Sequence, residues 1–459
     1  MVFSSTTFLF IFLPLLLVVY FVAGTKYRNA ILLLASLFFY AWGEPKYILL
    51  LIISILFNYV SGLLMDKIVS HKKLILIITL VYDLGMLFVF KYLNFTVEIL
   101  RNTIGLNMEI QSLALPIGIS FYTFQIMSYI IDVYKKNIPV QKNISKLALY
   151  IAFFPQLIAG PIVRYSDIEK QLSYRTTSVE NIRKGMIMFA IGFSKKILIA
   201  DQLAPLADNC FSMNYPSVFA YWTGAIAYTL QIYFDFSGYS NMAIGLGKIF
   251  GFDFPENFNF PYISQSIQEF WRRWHISLGS WFRDYLYIPL GGSRKGQKRT
   301  YFNYLMVFFL TGLWHGASFN FIVWGLYYAV FIILEKSVLR RLFEKLPKII
   351  RHIYTLIIVT IGWVFFRADN LTHAINYIKG MFTVSGKDII NFIFVIDLRY
   401  IFLLVIGIAV SIPHKRLSSF FNVNAFRRFI YDIGIILLFI LAIGCMYGSG
   451  YSPFLYFRF

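Results

Sequence analysis

Apolar stretches of nearly helix-spanning length recur along almost the whole chain, and "ILLLIISILFNYVSGLL" (48–64) is one of them. An α-helix needs about 20 such residues to cross the hydrocarbon core of a bilayer. In hydrocarbon every backbone N–H and C=O must find its partner within protein, which leaves helices and closed barrels as spanning structures. A barrel strand alternates apolar and polar residues, whereas these runs are unbroken, so helices are selected. Charge agrees, because only 14% of the 459 residues are charged, against about a quarter in soluble domains. The expectation is an all-α polytopic membrane protein, a single integral domain over 1–459 with no separate soluble module. The first apolar run, near 6–23, lacks a basic residue before it and is read as a retained helix rather than a secretory leader.

Basic clusters set the expected topology. "TKYRN" (25–29), "DKIVSHKK" (66–73), "YKKN" (134–137), "GGSRKGQKRT" (291–300) and "KSVLRRLFEKLPKIIRH" (336–352) are among the short loops read as cytoplasmic, following the positive-inside rule. That distribution accounts for most of the net charge of +20 without nucleic acid as a partner, and the surplus favours anionic lipid or an anionic substrate. Between the clusters, spans are expected near 6–23, 30–42, 46–65, 73–92, 113–133, 185–200, 218–236, 302–317, 319–335, 351–366, 399–412 and 429–447. Two stretches resist this reading. "LALYIAFFPQLIAGPIV" (147–163) is interrupted by Pro155 and Pro161, and "FPYISQSIQEFWRRWHISLGSWFRDYLYIPLGG" (260–292) is aromatic, charged and long. Both are expected to be re-entrant or interfacial elements covered by protein. With this count the last helix runs outward, and the polar stretch after Phe366 lies outside too, with an amphipathic surface helix within it.

Six histidines are present. His71, His352 and His414 fall in basic loops and His373 in the outer polar stretch, where solvation explains them. His315 stands at the end of the apolar run in "LTGLWHGASFNF", between Gly312 and Gly316, and an imidazole at membrane depth is costly enough to mark function. A histidine bonded to a carbonyl inside the bundle is the structural alternative. His275 lies in "EFWRRWHISLGSWFRDYLYIPLGG", where Glu269, Arg272, Arg273, Arg283 and Asp284 stand among tryptophans and tyrosines. An interfacial aromatic belt with snorkelling arginines explains those aromatics, but not the density of paired charges. Asp235, followed by Ser237, Tyr239 and Asn241, is expected to line a polar cavity, and Lys195 and Lys196 are further intramembrane polar groups. Cys210 and Cys445 show no metal spacing, and neither a phosphate-binding glycine loop nor a nucleophilic-serine elbow is present. No metal site is expected.

The motif around His275, followed by "FFLTGLWHGASFNFIVWG", resembles the membrane-bound O-acyltransferase (MBOAT) superfamily, and within it the bacterial alginate O-acetyltransferase branch. "LPIGISFYTFQIMSYIIDVY", "FPQLIAGPIVRY" and "YFDFSGYSNMAIGLGKIFGFDFPENFNFPY" are also similar to that branch, so the resemblance spans essentially the whole chain. It implies about 11–13 transmembrane helices, with re-entrant pieces, around a central funnel and channel. It implies His315 as the signature active-site residue and His275 as a second functional residue; Trp314, Asp235, Arg283, Asp284 and Asn320 are expected as substrate-binding or channel-lining residues. It further implies a multi-pass protein of the bacterial inner membrane that works with a separate extracytoplasmic, SGNH-hydrolase-like acetyltransferase and, through it, a polysaccharide acceptor. The expected donor is acetyl-CoA or another acyl thioester, with no tightly bound cofactor.

The chain ends in "YSPFLYFRF" (451–459). Phe454, Tyr456 and Phe459 reproduce the F-x-Y-x-x-F spacing that ends a small partner peptide in the teichoic acid D-alanylation system. The resemblance suggests Tyr456 as an acyl relay, with an aromatic anchor at the outer interface as the plain alternative. A phenol has a pKa of about 10 and needs a base to act as a nucleophile at neutral pH, a role open to His315. D-alanyl transfer to teichoic acid remains a rival within enzymes, and a non-catalytic transporter or scaffold a rival of another class. The internal repeats common in transporters are not evident.

Overall fold

The computed structural model describes residues 1–105, 113–213, 217–383, 397–414, 424–448 and 454–455. Among them the helices, in chain order, are α1 (Leu13–Val22), α2 (Arg28–Gly43), α3 (Ile48–Lys67), α4 (Lys72–Leu87), α5 (Leu93–Ile104), α6 (Ile119–Tyr134), α7 (Ile144–Ala152), α8 (Phe154–Leu157), α9 (Tyr165–Ser173), α10 (Val179–Ser194), α11 (Asp201–Ser212), α12 (Val218–Ile249), α13 (Ile267–Arg273), α14 (Ile276–Phe282), α15 (Gln297–His315), α16 (Phe319–Lys336), α17 (Arg340–Lys345), α18 (Lys348–Arg367), α19 (Leu371–Gly380), α20 (Leu398–Val410) and α21 (Ala425–Gly448). No β-strand forms among the described residues. Among the described residues five helical stretches are long and apolar enough to cross a membrane: Ile48–Lys67, Val69–Ile104, Phe319–Lys336, Lys348–Arg367 and Ala425–Gly448. Phe8–Val22 and Leu398–Val410 are shorter apolar helices. The chain is thus an all-helical polytopic protein. α21 exposes Ile436, Leu437 and Leu441, a row suited to lipid rather than water.

The chain forms two compact units, Met1–Phe189 with Met242–Pro255 and Ala190–Asn241 with Glu256–Phe459. In the first, Phe3, Phe8, Phe12, Phe39 and Phe154 make an aromatic core, with ring centroids 5.0 to 6.2 Å apart. Phe154 opens α8, so its N–H has no acceptor within that helix, and Ser36 Oγ accepts it at 3.1 Å. Sequence reading expected a broken element at 147–163, and the chain there is α7, α8 and an irregular segment.

In the second unit, α15 and α16 are a hairpin held at backbone contact. A Cβ on Gly312 would lie 2.3 Å from the Phe321 carbonyl oxygen, and one on Gly325 2.1 Å from that of Phe308. The 260–292 stretch is a chain of short helical pieces rather than a span, and α19 falls in the polar segment after Phe366, where a surface helix was expected.

Gly325→Val is therefore expected to force the hairpin apart. The overpacking cost of about 1–3 kcal/mol or more should appear as a lowered unfolding temperature of the detergent-solubilised protein. An unchanged unfolding temperature would contradict the close approach.

Candidate active site

His275 is positioned by a reversal of the chain. Phe258 and Trp274 pair as an antiparallel bridge, the Asn259 N–H donates to the Arg273 carbonyl at 2.9 Å, and the Ile276 N–H donates to the Asn257 carbonyl at 3.0 Å. To leave α13, pass that bridge and start α14 at once, His275 takes a left-handed conformation with φ +45°. For a residue with a Cβ this costs about 1–2 kcal/mol, and such strain persists where the surroundings hold it. α13 is itself firmly seated. Ser266 Oγ accepts the Glu269 N–H at 3.0 Å and the Glu335 carboxylate of α16 accepts the Ile267 N–H at 2.7 Å, so the free donors of the helix start are covered.

The imidazole of His275 is 1% exposed. Asn257 Oδ1 accepts from Ser277 N at 3.2 Å and Ser277 Oγ at 2.8 Å, and lies 3.1 Å from His275 Nδ1. A backbone N–H can only donate, so this Asn257 atom is the oxygen, and His275 Nδ1 carries a proton towards it. Burial pulls the His275 pKa down to about 3, which favours the neutral ring. Nε2 is therefore the atom with the lone pair, a base or hydrogen-bond acceptor.

His315 is the last residue of α15 and is 3% exposed. Gly316 follows in extended conformation and ends the helix. Trp314, Trp324 and Phe366 stand edge-on to the ring, with centroids 4.9, 5.0 and 5.2 Å away. Trp314 also faces His275, with centroids 5.9 Å apart. One indole thus touches both imidazoles, which are far apart in sequence. Next to them opens a cavity of about 540 Å³, lined by His275, Trp271, Gln268, Arg272, Ser280, Arg283, Tyr304 and Thr311 among others. His315 is not part of that lining.

The other expected residues are placed as follows. Arg283 lines the cavity and pairs with Asp284 through two contacts of 2.7 and 3.0 Å. Asn320 is turned to structure, its Nδ2 donating to the Ala368 carbonyl at 2.9 Å. Asp235 pairs with buried Lys196 at 2.6 Å and is not among the residues lining the cavity. Phe454 is buried at 1% exposure, whereas Tyr456 and Phe459 lie outside the described residues. His71, His352, His373 and His414 are half-buried or exposed. Sequence reasoning missed Asn257. It lies 18 residues before His275, in a segment with the look of a loop, and only the chain reversal brings the two together. Among the described residues no group of three His, Cys, Asp or Glu is placed to hold a metal ion.

The described chain is thus all-helical and polytopic, with two imidazoles buried about one tryptophan and one of them on a cavity that also holds arginines. The family model of MBOAT, membrane-bound O-acyltransferase family, matches residues 69–368, and the chain belongs to that family. It is 47% identical over 390 residues to the probable alginate O-acetylase AlgI of Pseudomonas aeruginosa, covering 83% of this chain and 75% of the relative. Over 485 aligned residues it is 41% identical to the probable alginate O-acetylase AlgI of Pseudomonas putida, covering all of both chains. It is 37% identical over 427 residues to the peptidoglycan O-acetyltransferase of Helicobacter pylori, covering 85% of this chain and 81% of the relative.

Removing the amide of Asn257 takes one shared acceptor from three donors, His275 Nδ1–H, Ser277 N–H and Ser277 Oγ–H. Asn257→Ala should lose stability by about 1–3 kcal/mol for the buried donors, and Asn257→Asp, which keeps the acceptor, should lose less. Unfolding curves in detergent give the comparison, and equal losses in the two variants would contradict the assigned bond.

Proposed function

We propose that this acyltransferase moves an acetyl group from a cytoplasmic thioester, acetyl-CoA, towards the outside of a bacterial inner membrane, for O-acetylation of an exopolysaccharide or cell-wall polymer. The observation that carries the reading is that Trp314 meets both His275 and His315, and that His275 lines a cavity together with Arg272 and Arg283. The names of the similar proteins, alginate O-acetylase and peptidoglycan O-acetyltransferase, favour acetyl over D-alanyl transfer and a polymer as the final acceptor.

The chemistry needs a nucleophile, a base and a place for the donor. Guanidinium groups suit the phosphates of a coenzyme A donor, and the cavity is of a size that encloses the reactive end of a small-molecule ligand. His315 is the general base. It takes the proton of the accepting hydroxyl as the oxygen attacks the thioester carbonyl, and returns it to the sulfur when the C–S bond breaks. His275, through Nε2, orients the thioester or shares the proton movement. Tyr456 is the accepting hydroxyl. Its aryl ester is more reactive than an alkyl ester, so an extracytoplasmic, SGNH-hydrolase-like partner can draw the acetyl group onward to the polymer. The acyl group then crosses the membrane without its carrier.

The test is the acetyl content of the polymer in cells that carry single variants. His315→Ala is expected to lower it by about 100-fold or more, as loss of a general base does, with the protein still inserted in the membrane at its normal level. His275→Asn is expected to lower it too while keeping the fold, because asparagine adopts left-handed conformations readily. Polymer acetylated at the normal level by His315→Ala would refute the base assignment.

A further inference from the structure

An ion cluster in the second unit is left unused by the chemistry above. Lys196 Nζ lies 2.6 Å from Asp201 Oδ1 and 2.6 Å from Asp235 Oδ1. The Lys196 and Asp235 side chains are 1% and 2% exposed. Their meeting is written into the helices. A Cβ on Gly238 would lie 2.7 Å from the Gly192 carbonyl oxygen and 3.3 Å from Lys196 N, so α12 rests directly on the 192–196 backbone. The wide turn Lys195–Ala200 that follows α10 holds the Lys196 side chain inside.

Two carboxylates face one ammonium, and the second oxygen of Asp235 is turned to a different task. Oδ2 accepts the main-chain N–H of Leu455 at 2.9 Å. The Lys196 ammonium stands 4.7 Å over the ring of Phe454, within the range of a cation–π contact. Tyr239 meets the same ring edge-on at 4.6 Å. Phe454 and Leu455 are 1% and 7% exposed. The segment thus supplies a donor to a buried carboxylate and an aromatic face to a buried cation. Without it, a charged acceptor would sit in the core short of a hydrogen bond, an arrangement that folded proteins avoid.

We propose that the Lys196–Asp201–Asp235 cluster is the docking site for the chain's own C-terminal segment. Asp235 holds the main chain at Leu455, Lys196 and Tyr239 grip Phe454, and the seat fixes the residue next to Tyr456. Docking stands on this geometry alone, while its use in transfer rests on the reading of Tyr456 as acyl acceptor. In that reading Lys196 and Asp235 are positioning residues, since they act through the tail.

The test is residue-resolved amide exchange of the full-length protein in detergent. The Leu455 amide is expected to exchange at least about tenfold more slowly than an unprotected amide. In Asp235→Ala that protection should be lost while α15 keeps its own, which shows the bundle to be intact. Phe454→Ala changes only the tail, should also release the amide, and serves if Asp235→Ala does not fold. An unprotected Leu455 amide in the wild-type protein would overturn the proposal, as would undiminished protection in Phe454→Ala. Failure of the relay reading would leave these results unchanged, because they report the amide at 455 and not an acyl group at 456.

Discussion

One amide oxygen organises the candidate site. Asn257 Oδ1 accepts from the backbone and hydroxyl of Ser277 and from the Nδ1 of His275, inside a reversal whose backbone bonds leave His275 in a left-handed conformation. In water such an oxygen would be exchangeable with solvent. In a core that excludes water, each donor left without it would carry a desolvation penalty. The bond therefore fixes both where the imidazole lies and which nitrogen keeps the lone pair. Trp314 then joins this ring to His315 across α15. The position of the His275 ring comes from these hydrogen bonds, and the indoles of Trp314 and Trp324 pack the ring of His315.

The same rule accounts for three other buried or partly buried polar features. Lys196 and Asp235 are tolerated because they pair, and removing one partner of such a pair costs about 3–5 kcal/mol. Glu335 is tolerated because it accepts the first N–H groups of α13. Asn320 is tolerated because its amide ties the start of α16 to the carbonyl of Ala368. Polar residues that sequence alone presents as one class, intramembrane and suspect, divide here into those that hold helices together and those that face a cavity.

How much could be read in advance follows from what is local. Apolar runs are local, so the expected spans coincide with helices, as 30–42 does with α2 and 319–335 with α16. Helix ends were less visible. The expected span at 73–92 stops short of the helical stretch, which runs on to Ile104, because the polar Asn94, Glu98 and Arg101 of α5 interrupt the apolar run without interrupting the helix. The span at 218–236 continues to Ile249 through Gly238, Gly245 and Gly247, which look like breakers but are close-approach points. His315 was legible because an imidazole at the end of an apolar run is costly. Asn257 was not, nor was the pairing of Lys196 with Asp235, because a reversal and a helix crossing bring these residues together and neither has a signature in residue spacing.

The central claim is that an acyl group passes through the chain's own C-terminus, and one measurement addresses it most directly. The purified protein, reconstituted in vesicles, is incubated with isotope-labelled acetyl-CoA, and its C-terminal peptide is weighed beside that of Tyr456→Phe. The account predicts a labelled acetyl group on the wild-type peptide and none on the variant. A preparation that acetylates its acceptor while the peptide stays unlabelled would contradict it.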